Sequence, residues 1–97
     1  MKKILLACAG GFSTSMLVTA MLDAAKKKGI EVEIDAVAEA DIENQMDVDI
    51  LLLGPQIAHR LEELSEELSI PVLVIDSMDY GMMNGEKVLH DTLQKLN

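Results

Sequence analysis

Four short apolar runs, separated by segments of helical periodicity, restrict this chain to few folds. The runs are KILLACA (residues 3–9), EVEIDAV (31–37), DILLLG (49–54) and PVLVID (71–76). Each has the length of a strand, and most lack the strict alternation of a strand with one face in water. Continuous Val, Ile and Leu are typical of strands buried on both faces, as in a parallel sheet. The run at 31–37 does alternate, which predicts an edge strand.

The segments between the runs predict helices that cover such a sheet, because their apolar residues recur at helical spacing. These residues are Leu17, Ala20, Met21, Ala24 and Ala25, then Ile57, Leu61, Leu64 and Leu68, and finally Leu89, Leu93 and Leu96. Gly29 predicts the end of the first helix. Between the second and third strands, Ile42 and Met46 predict only a short helix, capped by Asp41.

Alternating strands and helices with short loops predict an α/β fold: a four-stranded parallel open sheet of order 2-1-3-4 with helices on both faces. At 97 residues the chain is long enough for one core and too short for two, so we expect a single domain over residues 1–97. No apolar stretch approaches the roughly 20 residues of a membrane-spanning helix. The N-terminus is typical of a first strand rather than a secretory signal, which predicts a soluble, cytoplasmic protein.

Composition removes several classes of partner and chemistry. The net charge of −9 would repel a phosphate backbone, and 2% aromatic residues provide no base-stacking platform, so nucleic acid is not an expected partner. A single cysteine, Cys8, forms neither an internal disulfide nor a zinc cage, and we expect no metal. The nucleotide-binding motifs G-x-x-x-x-G-K-[ST] and G-x-G-x-x-G are absent, and no cofactor is expected. Cys8 is therefore either a nucleophile or core filling.

Cys8 occupies a position where ligands bind in open parallel sheets. It ends the first strand, beside the point at which the order 2-1-3-4 reverses direction. A lone cysteine in an apolar run is usually a small buried hydrophobe. Here the run stops at Cys8, and the following residues have the composition of an anion-binding loop. We therefore interpret Cys8 as a catalytic nucleophile.

The predicted phosphate-binding loop runs directly into the first helix. Two glycines let successive backbone N–H groups turn inward, and three hydroxyl residues add donors and an N-cap at the positive end of the helix. Such a field favours a tetrahedral oxyanion and lowers the pKa of the thiol. The assigned loop residues are Ala9, Gly10, Gly11, Phe12, Ser13, Thr14 and Ser15.

Two enzymatic chemistries suit a thiol in such a loop. Low-molecular-weight tyrosine phosphatases carry C-x5-R-[ST] in a cysteine loop of this kind, but here Thr14 replaces the arginine, and Ser15 follows. Without a guanidinium to clamp two phosphoryl oxygens, hydrolysis is expected to be slow. A cysteine that accepts a phosphoryl group and keeps it for a partner fits better. A non-catalytic sensor of inorganic phosphate is a third alternative.

The motifs resemble those of the enzyme IIB component of the bacterial phosphoenolpyruvate-dependent sugar phosphotransferase system, in its lactose/cellobiose (diacetylchitobiose) class. The matching pieces are C-x-x-G-x-S-T-S from Cys8, LLLGPQIA at 51–58 and VIDSMDYG at 74–81. They lie in order along essentially the whole chain. The resemblance implies that Cys8 attacks a phosphohistidine of a IIA protein and becomes phosphocysteine. The group then passes to a sugar, such as cellobiose, lactose or chitobiose, bound by a membrane IIC transporter.

Residues of the two later motifs are candidates for support of the site or for docking. Gly54, Pro55 and Gln56 follow the third strand, across the switch point from Cys8. Gln56 either donates to a phosphoryl oxygen or only begins the next helix, with Gly-Pro as its cap. After the fourth strand, Asp76 is a candidate for shaping the loop, and Tyr80 either contacts a docking protein or packs.

Other residues of chemical interest receive simpler interpretations. His59 and His90 fall in predicted helices several residues from the strand ends, so neither is assigned to the site. Met16 and Met21 are predicted to fill the core. A further group, on the active-site face, is predicted to form an apolar rim against which the IIA and IIC proteins dock. The rim residues are Phe12, Met82 and Met83.

Overall fold

The sheet has the predicted topology. The computed structural model describes residues 1–9, 12–44 and 47–96, and of Phe12 and Ser13 it describes the backbone. The strands are β1 (Lys2–Cys8), β2 (Val32–Ala38), β3 (Ile50–Leu53) and β4 (Val72–Val74). They form one parallel sheet of order β2-β1-β3-β4. This confirms the predicted order, although β4 has only three residues.

β1 lies in the interior of the sheet, between β2 and β3. Leu6 pairs with Ala36 of β2 on one side and with Leu52 of β3 on the other. In β2, Ile34 is buried while the acidic residues beside it are exposed, in agreement with the alternation that predicts an edge strand. The register brings the carboxyl ends of β1 and β3 side by side, and Cys8 is the last residue of β1.

The helices differ from the sequence predictions mainly in type and starting point. They are α1 (Phe12–Lys28), α2 (Leu61–Glu67), α3 (Ser77–Gly81) and α4 (Gly85–Leu96), with 3₁₀ helices at Glu39–Asn44 and Pro55–Arg60. Gly29 ends α1 in the left-handed region, at φ +68°, as a helix-terminating glycine does. Ile57 departs from helical φ and ψ, which divides the predicted helix after β3 into a 3₁₀ helix and α2.

The short connection after β2 is a 3₁₀ helix. It starts at Glu39, so the prediction that Asp41 caps it is wrong, because Asp41 lies inside the helix. Ile42 is buried beneath the sheet, as its apolar character predicts. The other apolar residue of this prediction, Met46, lies outside the described residues.

Two apolar layers cover the two faces of the sheet. Side chains alternate along a strand, so Ile4 and Leu6 of β1 face α1 and α4, while Leu5 and Ala7 face the 3₁₀ helices and α2. Helices on both faces are thereby confirmed. Among the described residues, no helix is long and apolar enough to cross a membrane.

The methionines of α1 correct one prediction. Met21 is fully buried in the layer between α1 and the sheet, as predicted, but Met16 is 59% exposed. Met16 directly precedes Leu17, which faces the core, and one residue along a helix turns the side chain by about 100°. The prediction for Met16 was therefore wrong, because composition alone does not give the phase of the helix.

α1 and α4 approach each other more closely than side chains normally permit. Gly85 begins α4 and is buried against the middle of α1. A Cβ atom at Gly85 would contact the backbone of Ala20 and lie 2.5 Å from the backbone nitrogen of Met21. The helix pair that supports this face of the sheet thus requires glycine at that position.

Candidate functional site

Cys8 lies at the carboxyl edge of the sheet between two chain segments. It is 3% exposed and pairs with Ala38 of β2, while the end of β3 lies on its other side. Burial alone disfavours a thiolate, because a charge loses hydration there. The reactivity expected of Cys8 therefore depends on polar groups that contact its sulfur.

Thr14 supplies such a group from the first turn of α1. Its side chain is fully buried, and its hydroxyl Oγ1 donates a hydrogen bond to Sγ of Cys8. A hydrogen bond donated to sulfur favours the charged form of the thiol. Sequence reasoning placed Thr14 among the loop residues but did not predict this contact. Thr14 occupies the position of the phosphatase arginine, and its shorter side chain reaches the sulfur.

Replacement of Thr14 by valine is expected to raise the pKa of the Cys8 thiol, because the variant keeps the shape and loses the donor. At neutral pH the thiolate fraction then falls, and alkylation by iodoacetamide should slow by about tenfold. The rate is followed by mass across a pH series. Thr19→Val is the control. Thr19 is exposed on the same helix, and its hydroxyl donates a hydrogen bond to the backbone O of Ser15 rather than to Cys8. Equal alkylation profiles in the two variants would contradict the role of Thr14.

The start of α1 corrects the predicted loop. Because α1 begins at Phe12, the residues Ser13, Thr14 and Ser15 lie in its first turn, and the predicted N-cap among them is wrong. Hydroxyl side chains are favoured at caps and are also tolerated in a first turn, so the pattern does not separate the two. The first turn of any helix leaves N–H groups without helical partners, and here they belong to residues next to Cys8.

The other residues of the predicted loop remain predictions as phosphate ligands. Ala9 and Ser15 are exposed beside the buried Cys8 and Thr14. Gly10 and Gly11 lie outside the described residues, as do the side chains of Phe12 and Ser13.

The segment after β3 lies directly against Cys8. The backbone N–H of Gly54 donates to Ala7 O at 2.8 Å, which continues the pairing of β1 and β3 by one residue. A Cβ atom at Gly54 would lie 3.1 Å from Cβ of Cys8. Gly54 is also the N-cap of the second 3₁₀ helix, and Pro55 is its first residue. The Gly-Pro pair therefore caps the helix, and its glycine packs against Cys8.

In the motif after β4, Asp76 caps a short helix and Tyr80 packs in the core. The carboxylate of Asp76 accepts hydrogen bonds from the backbone N–H groups of Met78 (3.1 Å) and Asp79 (3.2 Å), and so caps α3. The ring of Tyr80 is buried in the layer that contains Ile75. Burial favours packing over docking for Tyr80. Both residues follow the carboxyl end of β4.

The single arginine of the chain, Arg60, forms ion pairs with two carboxylates. Arg60 pairs with Glu39 at 2.7 Å and with Glu63 at 3.0 Å, and hydrogen bonds to these carboxylates raise its pKa above the ordinary value. The pair with Glu39 joins the segment that follows β2 to the segment that follows β3. Arg60 is thus a brace between the two 3₁₀ helices, and its guanidinium is occupied by carboxylates.

Both histidines lie at exposed positions on helices. His59 is exposed on the second 3₁₀ helix, and His90 is exposed on α4. In the parts of the chain that the structure describes, no three His, Cys, Asp or Glu side chains are grouped as metal ligands. Within the described residues, the hydroxyl of Thr14 supplies a polar contact to the sulfur of Cys8.

Sequence comparison places this arrangement among known proteins. The sequence model of a family described as "PTS system, Lactose/Cellobiose specific IIB subunit" matches residues 3–91. The chain is 46% identical to the galactose-specific EIIB component of Lactococcus lactis subsp. cremoris and to the cellobiose-specific EIIB component of Lactococcus lactis subsp. lactis, in each case covering 91% of this chain and 90% of the relative. It is 45% identical to the oligo-beta-mannoside-specific EIIB component of Bacillus subtilis, covering 96% and 94%.

Solved structures show the same architecture. A cellobiose-specific phosphotransferase IIB component from Borrelia burgdorferi matches with a TM-score of 0.77 and 45% identity, over 92% of this chain and 85% of that one. The lactose-specific IIB component of the phosphotransferase system from Streptococcus pneumoniae matches with a TM-score of 0.82, over 96% and 95%. At 24% identity, the second likeness concerns the fold alone.

Proposed function

Because the chain belongs to the lactose/cellobiose-specific IIB family of the sugar phosphotransferase system, we propose that it is a phosphocarrier whose Cys8 accepts and passes on a phosphoryl group. Components of this kind work with IIA and IIC proteins. In the proposal the donor is a phosphohistidine of a IIA protein, and the acceptor is a sugar bound by a IIC membrane transporter. The observation that carries the proposal is the hydrogen bond from buried Thr14 to the sulfur of Cys8.

The proposed relay has two displacements at phosphorus. In the first, the thiolate of Cys8 attacks phosphorus, the S–P bond forms and the P–N bond breaks, and the histidine nitrogen keeps the electron pair. In the second, a sugar hydroxyl attacks, the O–P bond forms and the S–P bond breaks. The hydroxyl proton goes to a base or to water, and the thiolate is regenerated. Residues 9–15 supply N–H and hydroxyl donors to the phosphoryl oxygens in both steps.

The absence of an arginine clamp supports a carrier over a phosphatase. A reversible relay needs an intermediate that is neither strongly stabilised nor rapidly hydrolysed. Backbone amides and a hydroxyl give moderate stabilisation, whereas a guanidinium stabilises the transition state of hydrolysis. Arg60 is occupied by Glu39 and Glu63, so it does not fill the role that Thr14 leaves open.

The comparisons support a partner-determined choice of sugar. Relatives named for galactose, cellobiose and oligo-beta-mannoside differ by only one percentage point in identity to this chain. We therefore propose that the IIC partner selects the sugar, with a β-linked disaccharide such as cellobiose, lactose or chitobiose as the expected class.

We also propose that residues 1–97 form one domain, which meets both partners in the cytoplasm.

Exposed methionines in and directly after α3, which follows the carboxyl end of β4, support the proposed apolar docking rim. Met78 and Met82 are 69% and 72% exposed, although α3 is capped and anchored by buried Tyr80. Met83 is half-buried in the adjoining core layer, and its φ of +52° turns the chain from α3 towards α4. Methionine adapts its shape to different apolar surfaces, which suits a face that meets two partners in turn.

Replacement of Met82 by serine is expected to weaken docking without changing chemistry. The KM for phosphorylated IIA should rise several-fold with kcat nearly unchanged, since the contact holds both the bound and the reacting complex. Rates are measured at increasing concentrations of the IIA protein. Leu22→Ser, at an exposed position in the middle of α1, is the control. The docking rim is contradicted if Met82→Ser and Leu22→Ser give the same KM.

Intact mass tests the function as a whole. The protein is incubated with phosphoenolpyruvate, the general phosphotransferase proteins and a IIA protein of this class, and a parallel sample omits the IIA protein. We expect the gain of one phosphoryl group that depends on the IIA protein. No gain, together with steady release of phosphate from an aryl phosphate, would assign the chain to the phosphatases instead.

A further inference from the structure

The side chain of Gln56 reaches back over Gly54 towards Cys8. One methyl group placed on Gly54 would lie 2.9 Å from Oε1 of Gln56 and 3.1 Å from Cβ of Cys8. The two side chains are thus separated by the space that Gly54 leaves empty. Gln56 is exposed, so its carboxamide lies where the surface meets the buried thiol.

This position is fixed by the backbone on either side. The backbone N–H of Gly54 donates a hydrogen bond to O of Ala7, the residue before Cys8. The backbone O of Gly54 in turn accepts a hydrogen bond from the N–H of Ile57 at 3.0 Å. Pro55 restricts its own φ, and the side chain of Ile57 is buried beneath the sheet. Gln56 therefore projects from a short rigid turn, which is the kind of support that a group in a reactive site needs.

The carboxamide has no structural task that explains its orientation. Gly54 caps the 3₁₀ helix without a side-chain hydrogen bond, and Gln56 has no hydrogen-bond partner among the described residues. A carboxamide rotates by half a turn at little cost, which exchanges its oxygen and nitrogen. In that orientation its two N–H donors face the region beside Cys8.

We propose that Gln56 contacts the phosphoryl group carried on Cys8, with its side-chain amide donating a hydrogen bond to one non-bridging oxygen. This inference rests on the proposed phosphocarrier function. It deepens that function by adding a neutral donor on the β3 side of the thiol, opposite Thr14 on the α1 side. A neutral amide suits the moderate stabilisation that a reversible carrier requires.

The test compares Gln56→Glu and Gln56→Ala with Gln94→Glu, since Gln94 is exposed on α4 away from Cys8. Glutamate has the shape of glutamine but brings a negative charge towards a doubly charged phosphoryl group. We expect Gln56→Glu to slow the transfer from IIA by at least tenfold, Gln56→Ala to slow it less, and Gln94→Glu to leave it unchanged. The loss in Gln56→Ala isolates the missing donor, because alanine removes the amide without adding a charge, and a wild-type transfer rate in this variant would contradict the contact.

Alkylation gives a readout that does not depend on phosphotransfer. Cys8 is the only cysteine, so the rate of its reaction with iodoacetamide reports this thiol alone. Gln56→Glu should slow that reaction relative to Gln94→Glu, because a carboxylate near sulfur disfavours the thiolate. Equal transfer rates in Gln56→Glu and Gln94→Glu, with a wild type that is phosphorylated, overturn this inference alone. A wild type that gains no phosphoryl group overturns the proposed function with it.

Discussion

Replacement of Cys8 by serine is expected to abolish phosphoryl acceptance, with a loss of at least about 10³-fold in the transfer rate. Serine is close to cysteine in size, and we expect its hydroxyl to form a hydrogen bond with Thr14, which donates to Cys8 in the native chain. A serine hydroxyl, however, is not ionised near neutral pH without an adjacent base, and both histidines are exposed on other elements. Intact mass during incubation with the IIA protein and its phosphoryl donors follows the reaction.

Two controls accompany this variant. Ser69→Ala, at an exposed position before β4, should be phosphorylated at the wild-type rate. The free energy of unfolding of Cys8→Ser should stay close to that of the wild type, because the new hydroxyl keeps a partner in Thr14. A folded Cys8→Ser protein that gains a phosphoryl group at an undiminished rate would contradict Cys8 as the acceptor.

The second large effect is on stability. Gly85→Ala is expected to lower the free energy of unfolding by about 3 kcal/mol, because its Cβ atom would press on the backbone of α1 rather than on a flexible side chain. The helices must move apart to accept it. Denaturant unfolding measures the change, and the shift of α1 should also disturb the bond from Thr14 to Cys8 and slow alkylation of the thiol.

Gly81→Ala is the matched control for this effect. Gly81 lies in α3, and a Cβ atom there would meet no atom within 4 Å. The same chemical change should therefore alter stability by no more than about 1 kcal/mol, in the stabilising direction if the helix propensity of alanine dominates. Equal losses at Gly81 and Gly85 would contradict the close approach of α1 and α4.

The features that the sequence predicts well are those that depend on local pattern. Buried parallel strands need continuous apolar runs, so β1 and β3 could be located, and the rules of crossover then left few strand orders. The order in turn places Cys8 beside the residue that follows β3, where Gly54 is found. Gly29 could be assigned to the end of α1 because few other residues adopt a positive φ at low cost.

The features that sequence reasoning missed depend on contacts between distant segments. The bond between Thr14 and Cys8 requires α1 to start at Phe12, and hydroxyl residues give no sign of whether they precede a helix or begin it. Gly85 shows no local signal, since its need for glycine comes from the backbone of Ala20 on another helix. The partners of Arg60 come from two other segments, so its engagement could not be predicted from spacing alone.

Protection of the thiol tests the central claim most directly. The protein is phosphorylated through the IIA protein, treated with iodoacetamide and weighed intact, with an unphosphorylated sample treated in parallel. If Cys8 carries the phosphoryl group, each molecule should bear either one phosphoryl group or one alkyl group, and none should bear both. Molecules that carry both would place the phosphoryl group on another side chain, such as His59 or His90, and would contradict a phosphocysteine carrier.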